Sequence, residues 1–448
     1  MTTTGTGRNE TLRLPECPRA AEIAASVRAG RGSAAAACTD ALERIAETDS
    51  RVHAWACLDA GQAMAQAQAI DAAGPEGVLA GVPVAVKDII DTADRPTENG
   101  TPLDAGRRPD TNATVVRRLR AAGALILGKT VTTELACGAA NETRNPHALA
   151  HTPGGSSSGS AATVAAGGVP LALGTQTAGS VVRPAAFCGV WGMKPSFGTI
   201  PRTGVTRLSR SLDHVGVFAG SAQDVALGID AISGDDGLDQ ASAGRAPTRL
   251  AAALALPLGR PRLAFIRQPG WEEAEADAAA AYEAAAGELG AEPLTLGSPF
   301  AAARAVHLGI MRREVAHAFA PWVARGEAAL SDIVREHIEG GRAINADAYL
   351  SLLDEADAMR RAFEHAMRPY DAALTPAAPG GAPEGLDFTG SRTQTMLWTM
   401  LGVPAVNVPA LTVGGLPLGL QVVGRFGADA TTLRAAAWCA ARLQDACP

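Results

Sequence analysis

Hydrophobic and polar positions along this chain follow two different periods, and the change between them divides the sequence. From residue 18 to residue 70, alanine-rich stretches carry charged positions at helical spacing, and Ser33 precedes one of them as a candidate N-cap. At 81–90 and again at 124–131 the pattern becomes short, β-branched and apolar, with an arginine-rich helical stretch between the two. The pattern predicts N-terminal helices over residues 1–70, then a strand, a helix and a strand.

The second half of the chain shows the same contrast in the opposite order. Residues 270–368 are strongly helical and amphipathic, which predicts an additional helical layer. Strand-like runs return at 370–376, 403–411 and 418–424, before a closing helix from Ala430. Because strand groups lie towards both ends of the chain, we expect an α/β fold in which one large, mixed, twisted β-sheet is covered by helices on both faces.

Composition places the chain among ordinary globular proteins. Of its 448 residues 47% are apolar and 19% are charged, so a large core is expected. Aromatic residues make up only 4%, which leaves alanine, valine and leucine to fill that core. No low-complexity linker interrupts the pattern apart from a Gly/Pro-rich span at 377–388, so we expect a single domain over residues 1–448.

Charge and cysteine usage restrict the cellular context and the partners. A net charge of −7 argues against non-specific binding of nucleic acid. The longest apolar run, 161–173, is broken by Gly and Pro, and the N-terminus lacks the apolar segment of a signal peptide. Seven widely spaced cysteines and eight scattered histidines give neither a disulfide framework nor a metal-ligand pair. We therefore expect a cytoplasmic protein that acts on a small molecule, without nucleic acid, membrane, metal or cofactor.

Lysine usage is the first indication of chemistry. The chain has three lysines, Lys87, Lys129 and Lys194, against thirty-six arginines. Arginine cannot release its proton in a protein, whereas a buried lysine can become neutral and act as a base. Biased coding could equally have replaced lysine by arginine, so the count alone leaves both explanations open. Lys87 and Lys194 flank a Gly/Ser-rich stretch, His151 to Ser180.

This Gly/Ser-rich stretch carries the most specific motif of the chain. Residues 154–180 read GGSSSGSAATVAAGGVPLALGTQTAGS, after an upstream GVPVAVKD and before a C-terminal YDAALTPAAP and GVPAVNVPA. These pieces, in this order and over most of the chain, resemble the amidase signature hydrolases. The resemblance implies an α/β amidase that cleaves the carbon–nitrogen bond of a small amide without a cofactor, with a possible homodimer. Its substrate stays open, because the pocket walls come from the variable helical regions.

The resemblance also assigns a catalytic triad. Ser180 matches the nucleophile, Ser156 matches the serine that follows a cis peptide bond, and Lys87 matches the base. A neutral lysine would accept a proton from Ser156, and Ser156 would accept one from Ser180 as it attacks the amide carbonyl. Burial among apolar neighbours can lower the pKa of Lys87 as this requires. Asp88 should not interfere, because consecutive residues of a strand point to opposite faces.

Further site residues are implied in the same way. The backbone N–H groups of Thr177, Ala178 and Gly179, together with that of Ser180, match the donors that stabilise the developing oxyanion. Thr175 matches a residue that supports Ser180, although an ordinary turn threonine explains it equally well.

Three departures from the common pattern deserve notice. The segment reads GTQTAGS where the family usually has GTDxGGS, Ser158 replaces a glycine, and Val182 stands where an arginine is usual, with Arg183 one position later. This variant resembles the malonamidase branch, in which the arginine holds a substrate carboxylate. The planar guanidinium of an arginine such as Arg183 suits bidentate binding of a carboxylate. A structural arginine paired with an internal aspartate is the alternative.

Other functions remain possible at this level. GSSSG at 155–159 could be the nucleophile elbow of an esterase that uses Ser157, with Asp213 and His214 as candidate partners. The glutaminase subunit of the tRNA-dependent amidotransferase shares the amidase motifs and works only inside a complex. The shifted Arg183 and the GTQTAGS variant argue against this alternative. A phosphate-binding loop is less compatible with the sequence, because no G-K-[ST] follows the glycines.

Overall fold

Eleven strands form one mixed β-sheet within the part of the chain that the structure describes. The structure is a computed structural model and describes residues 14–74, 76–137, 139–257 and 259–445. The strands are β1 (Trp55–Leu58), β2 (Pro83–Lys87), β3 (Leu125–Thr130), β4 (Leu171–Gln176), β5 (Trp191–Lys194), β6 (His214–Ala219), β7 (Leu263–Phe265), β8 (Glu292–Pro293), β9 (Ala372–Pro376), β10 (Ala405–Val413) and β11 (Leu416–Val423). The expected α/β fold with a large mixed sheet is confirmed.

The order of the strands shows how the two ends of the chain share the sheet. It runs β1, β3, β2, β4, β6, β5, β10, β11, β9, β7, β8. Strand β2 pairs in parallel with β3 and β4, and β7 pairs in parallel with β8 and β9, while the other pairings are antiparallel. The two halves meet where β5 pairs with β10, with Lys194 opposite Ala405. The prediction of one sheet assembled from both ends of the chain is confirmed.

Fifteen α-helices accompany this sheet among the described residues. They are α1 (Ala20–Arg28), α2 (Ala34–Val52), α3 (Ala60–Ala73), α4 (Thr114–Ala121), α5 (Ser158–Ala165), α6 (Val182–Phe187), α7 (Ala222–Ile232), α8 (Leu250–Leu254), α9 (Ala276–Leu289), α10 (Ala303–Ala318), α11 (Ala320–Gly326), α12 (Asp332–Arg342), α13 (Ala346–Ala366), α14 (Thr393–Met400) and α15 (Asp429–Asp445). None of these helices combines the length and the apolar character that crossing a bilayer requires.

Within residues 14–70 the helices follow the expected pattern with one addition, while residues 1–13 of the predicted N-terminal helices lie outside the described residues. Ser33 caps α2 as predicted, since its side chain accepts a hydrogen bond from the backbone N–H of Ala36 at 3.0 Å. Between α2 and α3, however, Trp55–Leu58 forms the edge strand β1, which pairs with β3. The sequence pattern did not indicate this strand, because it spans only four residues and none of them is buried.

The predicted helical layer consists of α9 to α13. It contains the two residues of β8, Glu292–Pro293, which pair in parallel with β7 at the end of the sheet. Strands β5, β6 and β7 were not identified from the sequence. They are short segments between loops, and β5 and β7 also pair with β10 and β9 from the C-terminal part of the chain, so the local pattern gave little indication of them.

Helices cover both faces of the sheet, and β2 shows why. Val84 and Val86 belong to the main hydrophobic cluster, whereas Ala85 between them belongs to a second cluster on the other face. The second cluster contains Ala34 and Ala63, from α2 and α3. The core thus relies on alanine and valine, as the low aromatic content indicated.

Candidate active site

The edge of the sheet that carries the candidate site is defined by the ends of two adjacent parallel strands. Strand β2 ends at Lys87, and β4, which pairs with β2 through Val86 and Leu173, ends at Gln176. Because parallel strands end at the same edge, Lys87 and the loop at 177–181 lie close together. The pairing of β2 with β4 thus brings together residues that are about ninety positions apart in the chain.

Lys87 is completely buried and bonded only to hydroxyl groups. Its Nζ donates to Ser156 Oγ at 2.7 Å and to Thr175 Oγ1 at 2.8 Å, and none of the ion pairs among the described residues includes it. Burial holds the pKa of Lys87 well below its ordinary value, the charge of Arg183 lowers it further, and Asp213 opposes the shift. A lysine in this setting can accept a proton from the Ser156 hydroxyl.

Asp88 faces the other side of β2, as the strand period predicted. Its carboxylate lies 3.0 Å from Lys129 Nζ and accepts a hydrogen bond from the backbone N–H of Glu98 at 3.0 Å. Lys129 also donates to Thr97 Oγ1 at 2.6 Å. The acidic neighbour of Lys87 in the sequence is therefore neutralised by a different lysine, and the surroundings of Lys87 stay free of a directly bound carboxylate.

Ser156 stands between Lys87 and a cavity of about 300 Å³ that Ser180 also lines. The peptide bond between Gly155 and Ser156 is cis. Ser180 is 9% exposed, and no hydrogen bond joins its Oγ to Ser156 Oγ among the residues described here. The contact between Lys87 and Ser156 is thus already formed, whereas contact between the two serines is not. Catalytic hydrogen bonds often tighten only when substrate is bound.

The loop before Ser180 is held by its carbonyl groups and leaves its donors free. His307 Nε2 lies 2.9 Å from the carbonyl oxygen of Thr177, and Thr399 Oγ1 donates to the carbonyl oxygen of Ala178 at 2.7 Å. Within the described chain, nothing accepts a hydrogen bond from the backbone N–H groups of residues 177–180. Free N–H groups next to Ser180 are what the stabilisation of an oxyanion requires.

Asp213 holds the same loop through a hydrogen bond to Thr177. The sequence analysis named Asp213 only for the esterase alternative and not as part of an amidase site. Its carboxylate accepts from Thr177 Oγ1 at 2.6 Å and from the backbone N–H groups of Leu208 and Ser209 at 2.8 and 2.9 Å. Burial raises the pKa of Asp213 to about 6 despite these hydrogen bonds. It is the carboxylate whose charge acts on Lys87.

Gln176, the departure from the usual aspartate, has a structural explanation. Its Oε1 accepts hydrogen bonds from the backbone N–H groups of Val181 and Val182 at 2.8 and 3.0 Å, at the start of α6. Its Nε2 donates to Thr399 Oγ1 at 2.9 Å. The amide therefore satisfies two N–H groups at the helix start and links them to the hydroxyl that holds Ala178.

Ser157 does not have the surroundings of a nucleophile. It is completely buried, its Oγ donates to the carbonyl oxygen of Thr175 at 3.2 Å, and it lies outside the lining of the cavity. A nucleophile elbow requires a strand that runs directly into the serine, but the last described strand before Ser157 is β3, which ends at Thr130. His214, the candidate base, contacts the carbonyl oxygen of Leu212 through Nδ1 and is buried elsewhere. The structure gives no support to the esterase alternative.

Arg183 lines the cavity, but its observed partners differ from both interpretations of the sequence. Its guanidinium donates to the carbonyl oxygens of Gly390 and Gly155, not to an internal aspartate. The alternative of a structural arginine paired with an internal aspartate is therefore wrong, because the folded loops bring two carbonyl groups to this side chain instead. Burial, with a contribution from Arg392, lowers the pKa of Arg183 to about 9. Its binding of a substrate carboxylate stays a prediction.

Much of the opposite cavity wall was not identified from the sequence. It is formed by α10 and by the chain from 387 to 396, including Arg304 and Arg392. No motif marks these residues, because they reach the site only through the packing of α10 against α12, α13 and α14. The sequence analysis had expected the walls of the substrate pocket to come from such helical regions.

Comparisons with known proteins agree with this geometry. The family model described as Amidase matches residues 36–433. A glutamyl-tRNA(Gln) amidotransferase subunit from Symbiobacterium thermophilum is 36% identical, over 91% of this chain and 93% of that protein. The subunit of the same name from Salinispora arenicola is 35% identical, over 93% of this chain and 96% of that protein.

Solved structures share the fold. One belongs to a vestigial protein complex described as revealing the evolutionary origins of an s-triazine catabolic enzyme. It matches with a TM-score of 0.88 and 30% identity, over 96% of this chain and 98% of that chain. Native peptide amidase from Stenotrophomonas maltophilia matches with a TM-score of 0.83 and 29% identity, over 95% and 97% of the two chains.

These relatives correct the prediction about partners. The sequence analysis expected only a small-molecule amide, with a possible second copy of the chain, and excluded nucleic acid. That prediction is wrong, since the curated relatives carry the name of a subunit of a tRNA amidotransferase. The net charge was the basis of the exclusion, and it is an average over the whole surface. It says nothing about contacts that other subunits of an assembly provide.

Proposed function

The chain belongs to the amidase family, which acts on carbon–nitrogen amide bonds, and we propose that it releases ammonia from an amide as the glutaminase-type subunit of an amidotransferase. The observation that carries the chemical part is the 2.7 Å hydrogen bond between buried Lys87 and Ser156, beside a cavity that contains Ser180. The relatives named above support the assembly.

The proposed reaction begins with two proton transfers. Neutral Lys87 takes the proton of Ser156, and Ser156 takes the proton of Ser180 as Ser180 Oγ attacks the amide carbon. The carbonyl oxygen becomes an oxyanion, which the free N–H groups of the loop at 177–180 stabilise. Thr175 Oγ1, 2.8 Å from Lys87 Nζ, fixes the direction of the lysine and so supports Ser180 indirectly.

The second half of the reaction reverses these transfers. The proton held by Lys87 returns through Ser156 to the amide nitrogen, the C–N bond breaks, and ammonia leaves an acyl group on Ser180. A water molecule then loses a proton along the same path and attacks the acyl carbon. The bond from that carbon to Ser180 Oγ breaks, the proton returns through Ser156 to Ser180, and the acid leaves. Both serines are suited to the relay because a hydroxyl is a donor and an acceptor.

The structure removes two arguments against a glutaminase-type subunit. Gln176 was one departure from the common motif, yet it caps α6 behind the nucleophile loop and takes no part in the cavity. Arg183 was the other, and its guanidinium bonds to two backbone carbonyl groups. Neither departure then excludes such a subunit.

Ammonia release tests the proposal directly. The purified chain and its Ser180→Ala and Ser157→Ala variants are assayed on glutamine, asparagine and small aliphatic amides. The assay is repeated with the complex isolated from the source cells through a tag on this chain. We expect glutamine turnover that the complex enhances, that Ser180→Ala abolishes and that Ser157→Ala retains. Full activity with Ser180→Ala would exclude the nucleophile.

A free-standing amidase is the second candidate, favoured by the similarity to peptide amidase. Lys87, Ser156, Ser180 and the cavity all come from this one chain, so no partner is needed to complete them. The same assay separates the two candidates. Efficient hydrolysis of small amides by the chain alone, with no enhancement in the isolated complex, would favour the free-standing enzyme over the subunit.

We also propose that the chain is one domain and works in the cytoplasm. The single sheet that takes strands from both halves supports one domain. Six cysteines lie within the described residues and all are unpaired, which agrees with a reducing compartment. Limited proteolysis and cell fractionation test these two points.

A further inference from the structure

Positive charge dominates the lining of the cavity beside Ser180. Three arginines line it, Arg183, Arg304 and Arg392, and the single carboxylate in the lining is, within the described chain, that of Asp387, which is solvent-exposed. A site with this balance of charge attracts an anionic group. The question is which arginine is available to bind such a group.

Two of the three arginines are already engaged. Arg304 Nη1 lies 2.9 Å from a carboxylate oxygen of Glu273 in a largely exposed ion pair. Arg183 donates to two backbone carbonyl groups. Neither Arg183 nor Arg392 is in an ion pair among the described residues, but Arg392 differs because its guanidinium donates to no carbonyl group there. The one hydrogen-bond contact of this guanidinium within the described chain is between its Nη2 and His337 Nε2, at 3.5 Å.

The groups around Arg392 leave its charge uncompensated. Burial, together with Arg392 and Arg312, lowers the pKa of His337 to about 3, so this neighbour is neutral at pH 7. Burial raises the pKa of Cys137 to about 12, so this thiol is neutral as well. The acidic group of Glu336 is paired with Arg312 at 2.8 Å. A partly buried guanidinium without a counter-ion is costly unless a ligand supplies one.

The backbone on either side of Arg392 is fixed. Ser391 Oγ and Thr393 Oγ1 both donate to the carboxylate of Glu273, at 2.7 and 3.1 Å. Arg392 is the N-cap of α14, and a Cβ built on Gly179 would lie 3.5 Å from Arg392 Cβ. The arginine is therefore anchored next to the nucleophile loop, with its main chain held and, among the described residues, its guanidinium without a carboxylate partner.

From this arrangement we propose that Arg392 binds a carboxylate of the substrate, so that the enzyme selects amides that also carry a free carboxylate group. This proposal rests on the amide hydrolysis proposed above and adds the substrate class. The planar guanidinium accepts a carboxylate in a bidentate geometry, while the amide carbonyl of the same molecule lies at Ser180. Glutamine, asparagine and the monoamides of dicarboxylic acids all meet this description.

Paired substrates test the proposal. Succinamate and glutaramate are compared with butyramide and valeramide, which have the same chain lengths without the charge. Arg392→Gln should lower kcat/KM for the two acids about 10- to 100-fold, and change it for the neutral amides by no more than about twofold. Arg392→Lys should fall between the parent and Arg392→Gln, because it keeps the charge and loses the fork.

Arg312→Gln is the matched control, since it removes a nearby positive charge that lies outside the cavity and is paired with Glu336. It should leave the ratio of acid to neutral turnover close to that of the parent. Equal losses on acid and neutral amides with Arg392→Gln, or no preference of the parent for acids, would overturn the assignment. Thermal unfolding of each variant shows whether the fold is retained.

Calorimetric binding of succinate separates this proposal from the proposed reaction. If the parent hydrolyses none of the amides, the proposed amide hydrolysis is wrong. The binding of succinate still tests whether Arg392 binds a carboxylate. Binding that weakens about tenfold or more in Arg392→Gln supports the carboxylate site. Binding that is absent in the parent, or unchanged in the variant, contradicts it.

Discussion

Lys87 and Ser156 are joined by a hydrogen bond of 2.7 Å at a depth where the lysine is completely buried and the serine is 2% exposed. They lie sixty-nine residues apart in the chain. The hydrogen bond is possible because β2 ends beside β4, and the segment that contains Ser156 folds back over this edge of the sheet. Burial and the hydroxyl-only partners of Lys87 favour the neutral amine, which is the form that can accept a proton.

Replacing Lys87 by arginine tests the base. The guanidinium would keep a positive charge and could not release its proton, so we expect kcat to fall by at least about 100-fold. The measurement is steady-state ammonia release, with thermal unfolding to show that the variant folds. Activity within a few-fold of the parent would show that no neutral lysine is needed.

The pH dependence of stability tests the same residue independently of turnover. Because burial lowers the pKa of Lys87 in the folded protein, the unfolded state binds more protons between that pKa and the ordinary value of 10.5. Stability therefore rises with pH across this window, and each unit of depression corresponds to about 1.4 kcal/mol.

Lys87→Met should lack this contribution. Urea unfolding at several pH values measures the free energy of unfolding of the parent and of the variant. The value for the variant minus that for the parent should be largest at low pH within the window and should fall as the pH approaches 10.5, because only the parent gains stability there. Titrating groups that do not interact with Lys87 cancel in this comparison. A difference that does not vary with pH would mean that Lys87 stays protonated in the folded protein.

Replacing Gln176 by alanine tests the cap of α6. The N–H groups of Val181 and Val182 would lose their acceptor in a buried region, which costs about 1 to 3 kcal/mol. Urea unfolding measures this loss, and kcat should also fall because the helix starts beside Ser180. Gln176→Glu is the control, because it keeps the acceptor for the two N–H groups and loses the donor to Thr399. If the parent and Gln176→Ala are equally stable, Gln176 does not cap α6.

Replacing Gly179 by alanine tests how tightly the nucleophile loop is packed. The added Cβ would lie 2.2 Å from Thr395 Oγ1, so the loop must shift and its N–H groups must leave their positions. We expect kcat to fall about 100-fold, as for the loss of an oxyanion donor. Adding Thr395→Ala removes the clashing hydroxyl and should restore part of the rate. No recovery in the double variant would mean that Thr395 is not the obstacle.

The catalytic segment could be identified from the sequence, because its residues are close together in the chain and its glycines and serines form a specific motif. The strands that contain long β-branched runs, such as β2 and β10, were identifiable for a similar reason. The edge strand β1 and the cavity wall around Arg392 were not. Their positions depend on partners that are remote in the sequence and that follow no local period.

The lysine count shows where the sequence reaches its limit. Its rarity correctly indicated special positions, since Lys87, Lys129 and Lys194 are all completely buried. It could not show that they differ in surroundings. Lys129 is paired with Asp88, while Lys194 donates to the carbonyl oxygens of Val403 and Pro195, and burial lowers its pKa to about 7. Only Lys87 among the three contacts a serine that lines the cavity.

The amino-acid sequence by itself determined the α/β fold, the family and the segment that carries the chemistry, because hydrophobic period and residue type are local properties. The tertiary structure decided what each side chain meets: a hydroxyl at Lys87, two carbonyl groups at Arg183 and, among the described residues, no counter-ion at Arg392. Protonation and specificity follow from burial and from neighbouring charge. These depend on strand order and helix packing, which bring together residues that the chain keeps far apart.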